Sequence, residues 1–435
     1  MRTYETEPLP CTVELDLARK PRLSVRHNAA WNLAGNVSYA GAQWLQLVII
    51  ARLGTLEQVG HFAYAAAVCA PVFMFSNLQL RSAQVSDASG RFEFREYLGV
   101  RIGTSTIAFA LIALGALAFA RSASWAPVVI VMALAKSIES VSDVFQGRMQ
   151  RRERMDLAGQ SMLLRSVLLI AFCIAALGLT GSVVALTFAI ALAHLLTLMF
   201  FDVRAAGSLG RINYGLERTH PGLGRLVRLA WRCLPLGIAM SLISLQTSAP
   251  RLVLGRFCGA SAVGVFAAIV YLASVGSTLV SAVGTAAAPR LADYFARGDN
   301  RQFNRLLLNV TAAAAALGGA GIAAAYFAGP ALLSLIYGGR FAGYHRAFLI
   351  CMIASAFWLI ASALGFAATA QGRFGVQPAA MVLCLVVLMA GLLALVPRFG
   401  VEGAAAAAAI SALACTCTYL GIVFWSENDK HRIRR

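Results

Sequence analysis

The sequence predicts an all-α polytopic membrane protein with about twelve transmembrane helices in two six-helix bundles related by a parallel internal repeat. Three observations predict this fold class. The 435-residue chain is 59% hydrophobic and only 13% charged, whereas soluble domains carry about 25% charged residues. Apolar stretches of about 20 residues recur along the chain, and each can cross a hydrocarbon core ~30 Å thick. One short motif also occurs twice at corresponding points of the two halves.

The apolar stretches define two sets of six spans. The first set covers 29–51, 59–80, 99–120, 126–147, 158–179 and 182–203, and the second covers 230–253, 262–288, 306–328, 344–370, 376–396 and 403–425. We expect one bundle over 29–203, a cytoplasmic linker over 204–229 and a second bundle over 230–425. Residues 1–28 lack the pattern of a cleaved signal peptide and are predicted to be a cytoplasmic tail, as is the basic segment 426–435.

Basic residues predict the orientation of the spans. With the amino terminus in the cytoplasm, the tails and loops on that side hold 28 of the 37 Lys and Arg residues, and the opposite side holds seven. This bias follows the positive-inside rule, so both termini are expected in the cytoplasm, with the protein in the plasma membrane. A basic rim beside anionic lipid also explains most of the net charge of +18 without nucleic acid.

The internal repeat joins the first and second spans of each half. Residues 52–63 read RLGTLEQVGHFA and residues 256–267 read RFCGASAVGVFA, with Arg, Val-Gly and Phe-Ala in register. Because six helices return the chain to its starting side, the two copies have the same topology. Parallel repeats of this kind have a substrate route at their interface.

The first span carries six polar side chains on one helical stripe. They are spaced by three or four residues and comprise Asn28, Asn32, Asn36, Tyr39, Gln43 and Gln46. Unpaired amides in lipid are costly, so the stripe faces protein or a water-filled cavity. Interhelical hydrogen bonding is one interpretation, and a cavity wall is the other.

Charged residues lie inside the fourth and fifth spans. Lys136 lies near mid-membrane on the fourth span, with Glu139 and Asp143 on the same face. Each such charge costs about 2.5–3.5 kcal/mol to insert, so partners or water are required. Arg165 on the fifth span is level with the two acids, which predicts an Arg165–Glu139 or Arg165–Asp143 pair. The cluster either pins the helices or forms a charged cavity floor in which an acid exchanges a proton or cation.

Other site classes are not indicated. The nine cysteines are scattered and imply neither a disulfide framework nor a metal site. No GxxxxGK[ST] loop occurs, so ATP hydrolysis within the chain is not expected and no cofactor is implied. His194, alone in the sixth span, is read as a packed residue or as a proton relay.

Residues 31–87, which read WNLAGNVSYAGAQWLQLVIIARLGTLEQVGHFAYAAAVCAPVFMFSNLQLRSAQVSD, resemble the opening of polysaccharide flippases. These belong to the multidrug/oligosaccharidyl-lipid/polysaccharide exporter superfamily. Residues 136–156, KSIESVSDVFQGRMQRRERMD, and the VGVFA segment are also similar to this family. The pattern departs where Ser-Ala-Pro precedes Arg251, since relatives often carry an acid or Asn there, which argues against an ion-pairing role for Arg251.

The resemblance implies two six-helix bundles around a central cavity. It also implies a flippase, not an enzyme, that moves oligosaccharides linked to undecaprenyl diphosphate to the outer leaflet for surface polysaccharide synthesis. Cations suit the diphosphate and amides suit the sugar hydroxyls. The predicted substrate-binding residues are Asn32, Asn36, Gln43, Arg52, Lys136 and Arg165, with Glu139 and Asp143 as coupling or ion-pair residues. Membrane lipid, the lipid-linked oligosaccharide and a polysaccharide polymerase are the expected partners.

Three other functions stay open. A flippase for peptidoglycan precursor usually has additional helices, whereas the count here stops near twelve. A multidrug/cation antiporter of the same superfamily would need a carboxylate facing the cavity, whereas the first span offers amides. A membrane-embedded polysaccharide polymerase or glycosyltransferase would need a sizeable soluble region or a long outward loop with acids. The longest predicted outward loop, 329–343, is short and contains neither Asp nor Glu.

Overall fold

The computed structural model describes residues 24–87, 90–118, 125–209 and 222–433, and within these ranges the chain is helical with short turns. The first half contains α1 (Val25–Leu53), α2 (Leu56–Ser76), α3 (Leu80–Ser86), α4 (Phe94–Ala118), α5 (Ala126–Arg151), α6 (Met155–Thr180), α7 (Val183–Leu196) and α8 (Val203–Gly207). The second half contains α9 (Leu223–Phe257), α10 (Ala260–Arg297), α11 (Asn300–Tyr337), α12 (His345–Ala370) and α13 (Gln377–Ile433). A π-helical segment, Thr197–Asp202, joins α7 to α8 without a break.

The described helices match the predicted spans. Eight helical segments are long and apolar enough to cross a membrane. One of them is α13, which bends at Gly400 (φ 54°, ψ −125°) into two arms that correspond to the last two predicted spans. The helices α1, α5 and α10 supply the remaining three; α1 and α5 are less apolar because they carry the amide stripe and the charges. The all-α prediction with about twelve spans is therefore confirmed.

The segments between and beyond the predicted bundles are partly helical. Helix α1 begins at Val25, inside the predicted tail, and α9 begins at Leu223, inside the predicted linker. At the other end α13 continues to Ile433, so most of the predicted tail 426–435 extends the last span. Residues 1–23 and 210–221, which make up most of the predicted tail and part of the linker, lie outside the described residues.

Local sequence explains where the key helices begin. Ser24 accepts a hydrogen bond from the His27 N–H and caps α1. At α2, the Thr55 side chain accepts from the Gln58 N–H while the Gln58 side chain accepts from the Thr55 N–H. This reciprocal capping box satisfies backbone donors that the first turn leaves free, and it places the start of α2 directly after α1.

The helix bundle has two ends, and we name them by their loops. The basic face holds the start of α1 and the connections from α2 to α4, α5 to α6, α8 to α9, α10 to α11 and α12 to α13. The opposite face holds the other connections and the Gly400 bend. The first lobe comprises α1–α8, in which α1 packs on α6 and α5 packs on α4 and α7; the second comprises α9–α13, in which α12 packs on α10, α11 and α13.

Helices α10–α13 share a hydrophobic core with the first lobe near the opposite face. There a single cluster of buried residues runs through both lobes, from Leu47 and Val59 in the first to Phe266, Leu333 and Leu392 in the second. Toward the basic face the core divides. Helices α10–α13 pack around their own cluster, and the first lobe has separate clusters that include the start of α9. The lobes are therefore joined at the opposite face. Toward the basic face α9 stays packed on the first lobe, and the cleft separates the first lobe from α10–α13.

The internal repeat lies at the joined end and contacts itself. A Cβ on Gly60 would lie 1.8 Å from the Ala260 carbonyl oxygen, and a Cβ on Gly264 would lie 2.7 Å from the Leu56 carbonyl oxygen. Leu56 corresponds to Ala260 in the repeat, and Gly60 corresponds to Gly264. Such reciprocal contacts are expected between copies related by a two-fold axis, so the parallel repeat predicted from the sequence is confirmed. Only glycine permits this approach of α2 to α10.

Candidate functional site: the cleft between the lobes

The amide stripe of α1 runs from the mouth of the cleft to its inner end. Asn32 and Asn36 are exposed, and the Asn36 amide donates to the Asn32 carbonyl oxygen (2.7 Å) and to its side-chain oxygen (2.9 Å). Gln43 is half-buried and Gln46 is buried. At the mouth, the Asn28 side chain accepts from the Met155 N–H at 3.1 Å and ties α1 to α6. The stripe therefore combines an interhelical hydrogen bond at one end with exposed amides beyond it.

A small cavity of about 60 Å³ lies at the inner end of the stripe. Its polar lining comes from both lobes and consists of Tyr39, Gln43, Gln46, Lys136, His194 and Tyr271. His194 is 2% exposed, and its Nδ1 has no hydrogen-bond partner among the described residues. The cavity brings together the predicted residues Gln43 and Lys136, which lie far apart in sequence.

Lys136 is neutralised inside its own lobe. Its Nζ is 2.7 Å from Glu139 Oε2, and the Tyr39 hydroxyl donates to the other oxygen of the same carboxylate. Lys136 and Glu139 remain 29% and 22% exposed, so neither charge is sealed from the cleft. The carboxylate of Glu139 is therefore compensated by a cation and a phenol of its own lobe. The trio presents one ammonium group at the edge of the cavity without a net charge.

Arg165 does not pair as predicted. Both proposed pairs, with Glu139 or Asp143, are wrong, because Arg165 forms an ion pair with Asp202 in the π-helical segment at 3.2 Å. Ser142 hydrogen-bonds to both groups, and Ser161 donates to Asp202 at 2.5 Å. The Arg165 and Asp202 side chains are 4% and 0% exposed. This cluster joins α5, α6 and the π-helical segment inside the first lobe, away from the surface of the cleft.

Asp143 belongs to a third group nearer the basic face. It accepts from Arg101 at 2.9 Å and from Arg81 at 3.3 Å. Arg101 is fully buried and also contacts the Asn77 side chain, while Arg81 reaches Gln146 at 3.0 Å. One carboxylate between two guanidinium groups leaves the cluster with a net positive charge. It connects α3, α4 and α5 around the end of α2.

Arg52 lies at the opposite face and connects the two lobes. Its Nε donates to the Ile336 carbonyl oxygen at 2.9 Å, and its Nη2 donates to the Leu335 carbonyl oxygen. These carbonyls belong to the last turn of α11, where cations satisfy free acceptors. Beside it, the Trp44 indole donates to the Tyr337 hydroxyl at 3.2 Å. Arg52, which the sequence predicts to bind substrate, therefore helps to close the far end of the cleft.

Arg251 lies within α9, six residues before the end of the helix. Its Nη2 donates to the Thr247 carbonyl oxygen at 3.3 Å. Within the described ranges no carboxylate forms an ion pair with it. Arg251 and Lys136 both lie close enough to the Tyr271 hydroxyl to interact with it electrostatically. Arg251 therefore brings a positive charge, without an ion-pair partner among the described residues, to the neighbourhood of Tyr271, which lines the cavity from the second lobe.

A family model described as polysaccharide biosynthesis protein matches residues 25–295. The chain belongs to this family. The resemblance stated from the sequence is thereby confirmed, and the match covers the whole first lobe and the start of the second. The capsular polysaccharide biosynthesis protein CapF of Staphylococcus aureus is 24% identical over 402 residues, which cover 90% of this chain and 97% of CapF.

Solved structures of membrane transporters share the fold. The lipid II flippase MurJ, in an inward closed conformation, superposes with a TM-score of 0.70 at 13% sequence identity. The superposition covers 91% of this chain and 90% of the MurJ chain. The MATE transporter VcmN of Vibrio cholerae gives a TM-score of 0.61 at 12% identity, covering 93% and 96%. At this identity the similarity establishes the fold alone. The family member described here is thus a multi-pass membrane protein with the two-lobed fold of these transporters.

Three residues that belong to the charged clusters or line the cavity were not predicted from the sequence of this family member. Asp202 was overlooked because it lies at the last residue but one of an apolar span, although a single acid there was a usable signal. Arg101 was not singled out although it lies at the start of the third predicted span, and it is fully buried. Tyr271 gave no signal, because a lone tyrosine in an apolar helix is common and its neighbours Lys136 and Arg251 come from other helices.

Proposed function

We propose that this chain is a flippase that carries undecaprenyl-diphosphate-linked oligosaccharide across the bacterial plasma membrane for surface polysaccharide synthesis. In this proposal the basic face is cytoplasmic, as the positive-inside rule predicts. The observation that carries it is the divided core, since α10–α13 share a core with the first lobe at the opposite face and have their own core toward the basic face. A cleft open to the cytoplasm is the conformation that receives substrate from the inner leaflet. The family and the name of CapF support a role in polysaccharide synthesis.

The lining of the cleft suits a diphosphate that carries sugars. Asn32 and Asn36 are exposed in the half of the cleft nearer its mouth, where they offer amide donors and acceptors to sugar hydroxyls. At the inner end, Arg251 and Lys136 offer cations from opposite lobes to the diphosphate. A dianionic group between them would bind both lobes and replace the missing countercharge of Arg251. We assign Gln43 to the same inner end, and we assign Arg165 a supporting role because its charge is already satisfied by Asp202.

Alternating access would rock the lobes about their contact at the opposite face. Closing the cleft at the basic face requires opening the other end, so the Arg52 contacts with α11 must break in each cycle. Arg52 would then be a gate residue, released when the substrate leaves. Gly60 and Gly264 allow the starts of α2 and α10 to pack closely in the conformation that is closed at the opposite face.

The rival functions fit this cleft less well. A cation antiporter needs an unpaired carboxylate at the binding site, but Glu139 is held by Lys136 and Tyr39. A polymerase or glycosyltransferase needs catalytic acids at one exposed place, whereas Asp143 and Asp202 are each held by arginine. We therefore propose that the chain is a transporter and that a polymerase, if it acts in the same process, is a separate partner.

The proposal is tested in a host that lacks its own copy of the chain. Arg251→Ala should abolish surface polysaccharide at a normal protein level and cause lipid-linked oligosaccharide to accumulate in the inner leaflet. Arg256→Ala, on an exposed part of the same helix, is the matched control and should export normally. Loss of a polymerase would instead leave single repeat units on the surface. Normal export by the Arg251 variant would refute the binding site, and drug sensitivity without a polysaccharide defect in the deletion host would refute the flippase.

A further inference from the structure

A second cavity, of about 440 Å³, lies at the basic face between α3, α4 and α9, apart from the cleft residues described above. Its polar lining includes Ser82, Ser86, Arg91 and Arg232, and its apolar wall includes Phe92 and Leu236. One side is therefore cationic and hydroxyl-bearing, and the other is apolar. A pocket of this character matches a ligand with an anionic head and a hydrocarbon part.

The cavity lining carries two arginines and one carboxylate, so its formal charge is positive. Asp87, also in the lining, accepts from the backbone N–H groups of Arg91 (3.2 Å) and Phe92 (3.1 Å), and its carboxylate also accepts from the Tyr97 hydroxyl at 3.4 Å. Its carboxylate thus serves to hold the loop. In the described part of the chain neither Arg91 nor Arg232 has a carboxylate within ion-pair distance. Both guanidinium groups remain exposed.

The depth of the cavity is that of lipid headgroups. Arg232 follows Trp231, which is 74% exposed, and Val227 one turn earlier is 56% exposed. Exposed apolar side chains on a spanning helix face the bilayer, and tryptophan concentrates at the membrane–water interface. The cavity therefore opens where phosphates of the same leaflet lie. Basic pockets between transmembrane helices on the cytoplasmic side bind anionic lipid headgroups.

We propose that this cavity binds the phosphate headgroup of an anionic phospholipid, with Arg91 and Arg232 on the phosphate and Ser82 and Ser86 on its remaining oxygens. The upper part of an acyl chain lies along Leu236. The ligand contacts both α4 of the first lobe and α9, the helix that leads into the second lobe. Its binding therefore adds to the attachment of α9 to the first lobe, which the apolar cluster around Leu229 and the Arg225–Glu96 ion pair already support.

The test uses the purified full-length chain in detergent, titrated with phosphatidylglycerol, with phosphatidylethanolamine or with inorganic phosphate. Retained lipid is counted by native mass spectrometry, and the melting temperature is followed in parallel. Phosphatidylglycerol should bind and raise the melting temperature, while the other two should not. In R91A/R232A the affinity for phosphatidylglycerol should fall about 30-fold. R91K/R232K should keep most of it, and R301A/R305A, which removes two exposed arginines of the same face, should bind as the native chain does.

Three results would overturn the proposal. Undiminished phosphatidylglycerol binding by R91A/R232A would exclude these arginines, and equal loss in R301A/R305A would reduce the effect to general surface charge. Competition by inorganic phosphate would identify a soluble-anion site. If R91A/R232A does not fold, a photoreactive phosphatidylglycerol is cross-linked to the native chain. Labelled peptides should contain Arg232 or Phe92, and labelling confined to other helices would refute the site.

Discussion

Gly60→Ala is expected to push the two lobes apart at the opposite face. The added methyl group would lie 1.8 Å from the Ala260 carbonyl oxygen and 2.3 Å from its carbonyl carbon. An ordinary contact begins at 3.4 Å, so the backbones of α2 and α10 must separate by about 1.6 Å, because both are helical and neither can yield locally. Overpacking of this kind costs about 1–3 kcal/mol.

That cost falls only on the conformation in which the two helix starts touch. A shift of about 1–3 kcal/mol raises the population of the form open at the opposite face by about 5- to 150-fold. Gly264→Ala should act in the same direction but less strongly, since its methyl group would lie 2.7 Å from the Leu56 carbonyl oxygen. Gly103→Ala is the matched control, because a Cβ at that helical position has no neighbour within 4 Å.

The assay measures how fast a cysteine in the cleft reacts with a membrane-impermeant maleimide added from the outside. The cysteine replaces Gln43, and Cys258, which is exposed at the opposite face, is changed to Ser in every variant. Labelling of Q43C should be fastest with G60A, intermediate with G264A and unchanged with G103A. Equal labelling of G60A and G103A, at equal protein level and melting temperature, would show that the glycine contact does not govern opening.

Three further predictions follow from the charged groups. Arg165→Ala leaves Asp202 buried without its cation and should lower the free energy of unfolding by about 3–5 kcal/mol, measured as a lower melting temperature in detergent. R165A/D202A should recover part of this loss. If R165A melts at the same temperature as the native chain, the Arg165–Asp202 pair is contradicted. Arg52→Ala should speed labelling of Q43C from the outside, as G60A does, while Arg52→Lys, which retains one donor, should have a smaller effect; unchanged labelling in R52A would remove Arg52 from the gate. Lys136→Ala leaves Glu139 beside the cavity with only a phenolic partner, so export should fall at least tenfold. The double variant K136A/E139Q separates two causes. If it still exports poorly, the loss is due to the missing ammonium group and not to the exposed acid.

Much of this architecture follows from local sequence properties. The spans could be read from apolar length, because a helix in lipid must satisfy its backbone internally. The α1 stripe was also predictable, since a spacing of three or four residues places the same side chains on one face in any helix. The repeat was also visible in the sequence, because the register of Val-Gly and Phe-Ala aligns Gly60 with Gly264. The structure shows that these two glycines lie where the lobes meet.

The partners of the charges were not predictable in the same way. Lys136, Glu139 and Asp143 share one face of α5, yet they belong to different clusters because each meets a different neighbouring helix. Arg165 lies level with two acids along the membrane normal, but the rotation of α6 points it at Asp202. The height of a residue follows from the 1.5 Å rise per residue, whereas the direction of its side chain depends on how the helices pack.

The sequence by itself determined the class of the protein, the positions of the spans, the polar stripe and the pairing of its two halves, because each depends on composition or periodicity along one helix. Only the tertiary structure decided that Arg52 closes the far end of the cleft, that Arg165 is neutralised inside its lobe and that Arg251 keeps its charge unpaired. The physical reason is that the cost of a buried charge depends on which groups lie within a few ångströms of it, and in this fold those groups come from other helices.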